Sequence, residues 1–382
     1  MPYTAPTVNY SATMAGTYTT LTGVQSVTIS RGRRRFQDNF QASQCTIELI
    51  PATSYSPELA IGQYVDVRVA NTATSRAFFT GQITDVERIY QIPYTTATNY
   101  APADRIIITA TGGTGIIAQN TLTNQTIASP AGNCVDAISA IASLCAVYGV
   151  PTQNNNIGAS LTVASDDGAF DLVNKLCRTG QIWVDDLDTQ RNTSGIYLDQ
   201  HGLIIYPSST NTATFAQSGS IKYNQLAFES SAQTRFNRVN VYADGLAVQT
   251  TQGTAPFNAM DYYTFNTTTG NALSLSSLLY NLFNGLTTIA PFTISTTTAV
   301  DDTWLPLVYT SWVGGGLGGY LGAGANITFR GTAYNAQIQH MTVSFYPDQA
   351  RATFTLAPSL GQAFTLNSSQ FGILDTNRLG FP

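Results

Sequence analysis

Alternation of hydrophobic and polar residues marks the first third of the chain. Val27 and Ile29 are separated by hydroxyl residues, and in the segment 65–69 valines alternate with Asp66 and Arg68. A period of two residues is typical of β-strands with one buried face. We therefore predict strands beginning at residue 24 and over 45–50, 65–69, 78–89 and 105–110, preceded by a polar arm over 1–20.

The middle of the chain has helical spacing instead. Apolar residues recur at three- and four-residue intervals over 134–148, where Gly149 and Pro151 end a predicted helix. Ser165 is a typical N-cap for a second helix, and Gly180 is placed to end it. Further on we predict a hairpin of 195–199 and 203–206 with its turn at 200–202, a strand over 235–243, a helix over 272–283, and an apolar but irregular stretch over 286–312.

One tract of the sequence occurs twice. Its two copies share a glycine, a Gln-Ile pair and a closing strand, and they differ in length mainly in the loops 70–76 and 91–104. The matched features are Gly62 with Gly324, Gln82-Ile83 with Gln337-Ile338, and 105–110 with 351–356. Because loops tolerate changes in length better than strands do, this pattern predicts two copies of one small β-domain.

The predicted fold class is mainly β with an α+β insertion. We expect two related small β-barrels with an intervening helix-sheet domain. The predicted domains are 1–118, an N-terminal arm and first barrel; 119–225, the α+β insertion; and 226–382, the second barrel with a helix, a Gly-rich loop and a docking C-terminal tail.

Composition narrows the function. Charged residues are 10% of the chain, against about 25% in an average soluble domain. A surface this poor in charge suits β-structure covered by other subunits, although genomic bias or an extracellular habitat also accounts for it. The net charge of −5 argues against stable nucleic-acid binding, which needs lysine and arginine to displace counterions from phosphates.

Catalytic chemistry is not indicated. The two histidines, His201 and His340, have no partner at a metal-ligand spacing, and we predict no catalytic, metal or cofactor site. The four cysteines fit no metal or redox pattern and are interpreted as buried free thiols. Neither a signal peptide nor a membrane-spanning helix is expected, and membrane contact is left open.

Three clusters have alternative interpretations. The acidic residues 185, 186 and 188 suit either a solvated turn, which we favour, or a calcium site. The Gly-rich stretch 314–319 suits a flexible loop, which we favour, a pore plug, a contact with a neighbour or a contact with a host membrane. The arginines at 31 and 33–35 suit contact with an acidic neighbouring subunit, a solvated hairpin end, or DNA.

Several segments resemble the opening barrel of tail-tip or baseplate hub proteins of tailed bacteriophages, often called minor tail proteins. They are 24–33, 44–49, 61–69 and 79–85, while 325–358 resembles the second barrel and 371–381 the C-terminus of that family. The resemblance implies a non-enzymatic virion protein at the tail tip. It also implies a homotrimeric ring around the channel for the viral genome, between a distal tail ring and tip or fibre proteins.

On this resemblance we predict that Arg33, Arg34, Arg35, Phe371 and Leu374 contact other subunits. The alternative function is a receptor- or carbohydrate-binding tail protein. It would use exposed aromatic residues such as Trp304, Trp312 or Tyr320 to stack on sugars. A cell-wall hydrolase is a third possibility, disfavoured because no acid/base pair is evident.

Overall fold

The computed structural model describes the chain except for some loops and the C-terminal tail. The segments not described are 1–2, 14–15, 52–58, 70–75, 91–104, 125, 128–133, 152–160, 163–166, 181, 189–200, 208–211, 219–220, 230–235, 266–267, 285–289, 306–320 and 359–382. The Gly-rich stretch 314–319 and the predicted contact residues Phe371 and Leu374 therefore lie outside the described residues.

The described chain is mainly β-structure, as predicted. Its strands are β1 (Thr7–Ser11), β2 (Thr19–Thr20), β3 (Val24–Gly32), β4 (Gln41–Leu49), β5 (Tyr64–Val69), β6 (Arg76–Ile89), β7 (Arg105–Thr111), β8 (Thr121–Leu122), β9 (Thr126–Ile127), β10 (Tyr148–Pro151), β11 (Leu161–Thr162), β12 (Asp167–Gly168), β13 (Ile182–Asp188), β14 (His201–Pro207), β15 (Thr212–Ala216), β16 (Gln225–Glu229), β17 (Arg238–Ala243), β18 (Gln249–Gln252), β19 (Ala259–Thr264), β20 (Ala290–Thr297), β21 (Gly324–Phe329), β22 (Thr332–Phe345) and β23 (Ala350–Pro358). The helices are α1 (Gly113–Ala118), α2 (Cys134–Leu144), α3 (Ala169–Gly180) and α4 (Thr269–Asn284).

Two groups of five strands have the same order in space. The first five-strand unit contains β3 to β7 in the order β5-β6-β7-β4-β3, and the second contains β16 and β20 to β23 in the order β21-β22-β23-β20-β16. All neighbours within each unit are antiparallel. Both units belong to one 13-stranded sheet. The internal repeat is thus confirmed at the level of strand order, and closure of each unit into a barrel stays a prediction.

Hydrogen bonds fix how the two units align. The Ile83 amide donates to Gln63 at 2.7 Å, and the Ile338 amide donates to Ala323 at 2.9 Å. Directly after each isoleucine the ladder to the next strand has a register shift of the same kind. The pairing of the Gln-Ile motifs made from the sequence is therefore correct.

The glycine pairing made from the sequence is wrong by two residues. Gly62 donates its amide to Ile83 at 2.9 Å, and Gly322, not Gly324, makes the equivalent bond to Ile338 at 2.6 Å. Both glycines have positive φ, at 90° and 83°. Sequence spacing could not distinguish Gly322 from Gly324. The left-handed backbone just before the strand identifies Gly322 as the equivalent of Gly62.

Other sequence predictions need correction. The N-terminal segment is not a free arm, because β1 pairs with β5 and buries Val8 in the core. The stretch predicted to be irregular contains β20. The turn expected at 200–202 is also wrong, since β14 begins at His201 and pairs with β13. Segment 195–199, the other arm of that predicted hairpin, lies outside the described residues.

Two insertions interrupt the repeat. Between the units, α2 and α3 accompany the sheet β10-β14-β13, and their buried residues join the main core. Between β16 and β20, α4 packs on the sheet β18-β17-β19 around a separate core that includes Val239, Tyr262 and Phe283. Apart from Phe36, the residues of this second core fall within the segment 226–382 that the sequence assigned to the second barrel. None of the helices in the described residues combines the length and hydropathy needed to cross a bilayer.

Strand β5 has the clearest alternation in the sequence, but its polar face is buried and not exposed to solvent. In β5 the valines at 65 and 67 are buried, but so are Asp66 and Arg68, at 0% and 3% side-chain exposure. The Arg68 Nε donates to a carboxylate oxygen of Asp66. Alternation alone predicted a solvated face, and the strands around β5 instead enclose an ion pair.

We predict that Arg68→Met lowers the free energy of unfolding by about 3–5 kcal/mol, because it removes a guanidinium that contacts the buried Asp66 carboxylate. The matched control is Arg105→Met, which removes the pair with Glu48 on a half-exposed surface. That loss should be within about 1 kcal/mol. Urea denaturation of both variants measures the difference, and equal losses would contradict a special role for the buried pair.

Candidate functional site

The two five-strand units join edge to edge. Residues 27–32 of β3 pair antiparallel with residues 340–345 of β22, while residues 332–337 of β22 pair with β21. The Arg33 amide extends this contact by donating to the Gln339 carbonyl at 2.9 Å. We call the contact between β3 and β22 the junction. It is a continuation of the sheet, in which main-chain hydrogen bonds hold one repeat to the other.

Side chains sort onto two faces of the junction. On one face the hydroxyls of Thr28 and Ser344 lie 3.0 Å apart, and Ser30 Oγ lies 3.0 Å from His340 Nε2. On the other face apolar residues of both strands are buried, and Phe345 packs its ring centroid 4.6 Å from that of Phe78. The junction therefore combines hydrogen bonding with apolar burial.

Two arginines of the predicted contact cluster are buried beside the junction. Arg31 Nε donates to the sulfur of Met341 at 3.2 Å, and Arg33 Nε donates to Gln339 Oε1 at 3.0 Å. The Arg33 guanidinium also lies 4.5 Å and 4.7 Å from the ring centroids of Phe36 and Phe40. Burial lowers the pKa of Arg33 to about 10, so it stays charged at neutral pH.

The remaining two arginines differ in their surroundings. Arg34 is exposed, whereas Arg35 Nη2 lies 3.1 Å from Glu229 Oε1 on β16. The acidic partner expected for this cluster thus exists for Arg35 within the same chain. Contact of Arg33, Arg34 and Arg35 with other subunits stays a prediction.

A glycine is required where β3 ends at the junction. Gly32 has φ of 107°, and a Cβ placed there would fall on the carbonyl oxygen of Gln339 and 2.8 Å from the Cα of His340. Residue 32 pairs directly with His340. Only a residue without a side chain lets the two strands approach this closely.

The acidic candidate at 185–188 is resolved in part. Asp186 lies in β13, buried to 8% exposure, so the expected solvated turn is wrong for it. Its carboxylate accepts hydrogen bonds from the amide of Thr114 at 2.9 Å and from the hydroxyl of Thr114 at 3.1 Å. It ties β13 to the start of α1. No grouping of three potential metal-ligating side chains occurs among the described residues.

The other candidates are placed as follows. All four cysteines are buried free thiols, as predicted, and burial raises the pKa of Cys177 to about 12. Trp304 is completely buried, which excludes it from stacking on a sugar. The alternative stacking residues Trp312 and Tyr320 lie outside the described residues.

Sequence reasoning missed the junction itself. In the sequence Gln337 and Gln339 have the spacing of solvent-facing positions on a strand, and only the structure shows that both are buried. A long strand with buried amides on its polar positions indicates neighbours on both faces. Which strand supplies the edge contact is a non-local fact that periodicity does not carry.

Comparison with solved structures shows the fold that this architecture represents. The chain is similar to the 43 kDa tail protein of prophage MuSo2 from Shewanella oneidensis, with a TM-score of 0.58, 11% identity, and coverage of 92% of this chain and 98% of that one. It is similar to the tail protein from Neisseria meningitidis MC58, with a TM-score of 0.57, 12% identity, and coverage of 93% and 97%.

A third similar structure is the prophage tail protein gp18 from Listeria monocytogenes EGD-e, with a TM-score of 0.50, 12% identity, and coverage of 91% and 94%. No protein-family model matches the sequence, and no curated protein matches it significantly. The chain therefore shares the fold of phage tail proteins at an identity too low to carry over individual residues.

We predict that Gly32→Ala destabilises the protein strongly, because it adds a steric clash at the junction to the strain of positive φ. Gly245→Ala is the matched control, since Gly245 has φ of 74° and open space around its Cβ position. The control should cost about 1–2 kcal/mol, the ordinary cost of a left-handed residue. Gly32→Ala should lower the thermal midpoint clearly further, and equal midpoints would contradict the close approach.

We also predict a pH dependence from the junction histidine. Burial lowers the pKa of His340 below 6.5, so the unfolded chain binds its proton more readily than the folded one. The stability that wild type has relative to His340→Gln should be constant above pH 6.5 and fall as the pH drops below it. The slope is at most about 1.4 kcal/mol per pH unit. Urea denaturation from pH 8 to pH 5 checks it, and a difference independent of pH would contradict it.

Proposed function

We propose that this chain is a structural, non-enzymatic component of a phage tail tip or baseplate, where it forms a hub ring around the DNA channel. The observation that carries the proposal is the pair of five-strand units with identical strand order, joined edge to edge. The similarity in fold to phage tail proteins supports the same setting.

The repeat gives a physical reason why a ring of three chains could join a sixfold structure to a threefold one. A chain with two equivalent units presents them at two related positions, so three copies supply six similar surfaces. Such a homotrimer matches a sixfold tail on one side and a threefold tip on the other. Closed rings of this kind arise when each copy uses one surface to bind a different surface of the next copy.

The charge of the chain suits a channel that DNA passes through. A net charge of −5, with 17 cationic residues in 382, provides no excess of positive charge to retain phosphates. Wall surfaces of this composition let DNA slide, whereas a strongly basic wall would bind it with an affinity that depends on salt. DNA passage is accordingly transient in this proposal.

The described surface also suits partners above and below the ring. Large apolar side chains are exposed at Ile61 and Tyr263, to 70% and 49%. In a protein with 10% charged residues, such positions fit contacts with a distal tail ring or with tip and fibre proteins. The proposed location is the tail end of the virion.

We predict that the purified chain forms a trimer, with a mass close to three times the 40.9 kDa of one chain. Light scattering coupled to size exclusion measures it over a range of protein concentrations. Antibodies against the chain should also label the tail end of intact phage particles. A chain that stays monomeric at all concentrations, together with labelling away from the tail end, would overturn the proposal.

A further inference from the structure

The junction uses one edge from each unit, and in the described part of the chain the equivalent edges form no ladder with another strand. Within the chain, β3 is the first strand of its unit and pairs with the C-terminal half of β22, the fourth strand of the other unit. The equivalent strands are β16 and β6. In the described part of the chain, β16 forms a ladder with β20 alone, and residues 85–89 of β6 form one with β7 alone.

The equivalent ladders of the two units show which residues of β16 and β6 correspond to each residue pair in the junction. When Gln82-Ile83 is aligned with Gln337-Ile338, the two strands continue in step, and Ile89 of β6 is the equivalent of Ser344 of β22. On the other side, Thr28 pairs with Thr46, which faces Thr109 on β7. In the second unit Ala227 pairs with Thr293, which faces Thr355 on β23. The contact between Thr28 and Ser344 therefore corresponds to a contact between Ala227 and Ile89.

These edges of β16 and β6 cannot meet within one chain. In the sheet order, β16 stands at one end, and β20, β23, β22, β3, β4 and β7 lie between it and β6. An unpaired strand edge presents main-chain donors and acceptors that readily pair with another chain. The repeat favours a second copy as the occupant, because this chain carries both of the strands that form the equivalent contact within it.

The side chains at these edges are suited to burial. Tyr90 is 59% exposed and Ile89 is partly exposed beside it. On β16, Leu226, Ala227 and Phe228 are all partly exposed. Leu226 and Tyr90 are equivalent to Val27 and Phe345, which are buried on the apolar face of the junction. Ala227 and Ile89 are equivalent to Thr28 and Ser344, which pair on its hydroxyl face.

We propose that β16 of one copy pairs antiparallel with residues 85–90 of β6 in the next copy, with Ala227 opposite Ile89. This contact repeats between copies the junction that β3 and β22 form within each chain. Since the two edges differ, each copy binds one neighbour through β16 and the other through β6, and a closed ring results when the rotation closes. The inference rests on the proposed hub ring and specifies its interface.

Disulfide cross-linking tests the register directly. In the full chain, Ile89→Cys with Ala227→Cys should give covalent trimers that dithiothreitol reverses. The equivalent hydroxyls of Thr28 and Ser344 lie 3.0 Å apart, so cysteines at these positions are within bonding geometry. The native cysteines are buried and contribute little background.

Three controls accompany the double variant. Each single variant alone should give no covalent product, and an equimolar mixture of the two single variants should give covalent dimers only. Asp85→Cys with Ala227→Cys places the thiols about 13 Å out of register along the strand and should not cross-link. If the double variant fails to fold, the mixture of single variants still reports on the same contact.

The outcomes separate the interface from the ring. Trimers by mass without cross-linking of the Ile89–Ala227 pair would overturn this interface and leave the proposed ring intact. Cross-linking of Ala227→Cys to itself would show a twofold contact and would likewise overturn the interface. A chain that is monomeric and not cross-linked would overturn both the interface and the ring.

Discussion

The main-chain hydrogen bonds between β3 and β22 are the constraint on which the rest of this structure depends. They turn two separately recognisable five-strand units into one continuous sheet. Because backbone groups at a strand edge must be paired or solvated, this contact satisfies an edge of each unit at once. It also sets the relative orientation of the repeats, and with it the directions in which the remaining edges point.

The buried cations near the junction follow from this geometry. Bringing β3 against β22 removes Arg31 and Arg33 from water, which is costly unless each guanidinium is compensated. The compensation includes the sulfur of Met341, the side-chain amide oxygen of Gln339 and two aromatic rings. Two of the four arginines in this cluster, Arg31 and Arg33, are therefore part of the internal contact between the repeats.

The insertions brace the same region. Asn174 and Arg178 on α3 bond to the loop between β3 and β4, accepting from the Phe40 amide at 2.8 Å and donating to the Gln37 carbonyl at 2.9 Å. Phe36 of that loop enters the separate core around α4, 5.9 Å from Phe283. One short loop thus connects the junction, the first insertion and the second insertion, so that the described elements depend on one another rather than fold as isolated modules.

The sequence by itself determined the β-rich class, the helices α2, α3 and α4 to within a few residues, the buried thiols and the Gln-Ile alignment of the repeat. These features are local, because they follow from the period of apolar residues and from helix-ending glycines. Tertiary structure alone decided that Gly322 is the equivalent of Gly62 in the repeat. It also decided that Asp66 and Arg68 are buried together and that β3 pairs with β22. Those facts depend on strand pairing between distant segments, and a period of two says which face of a strand is buried without saying which strand lies at its edge.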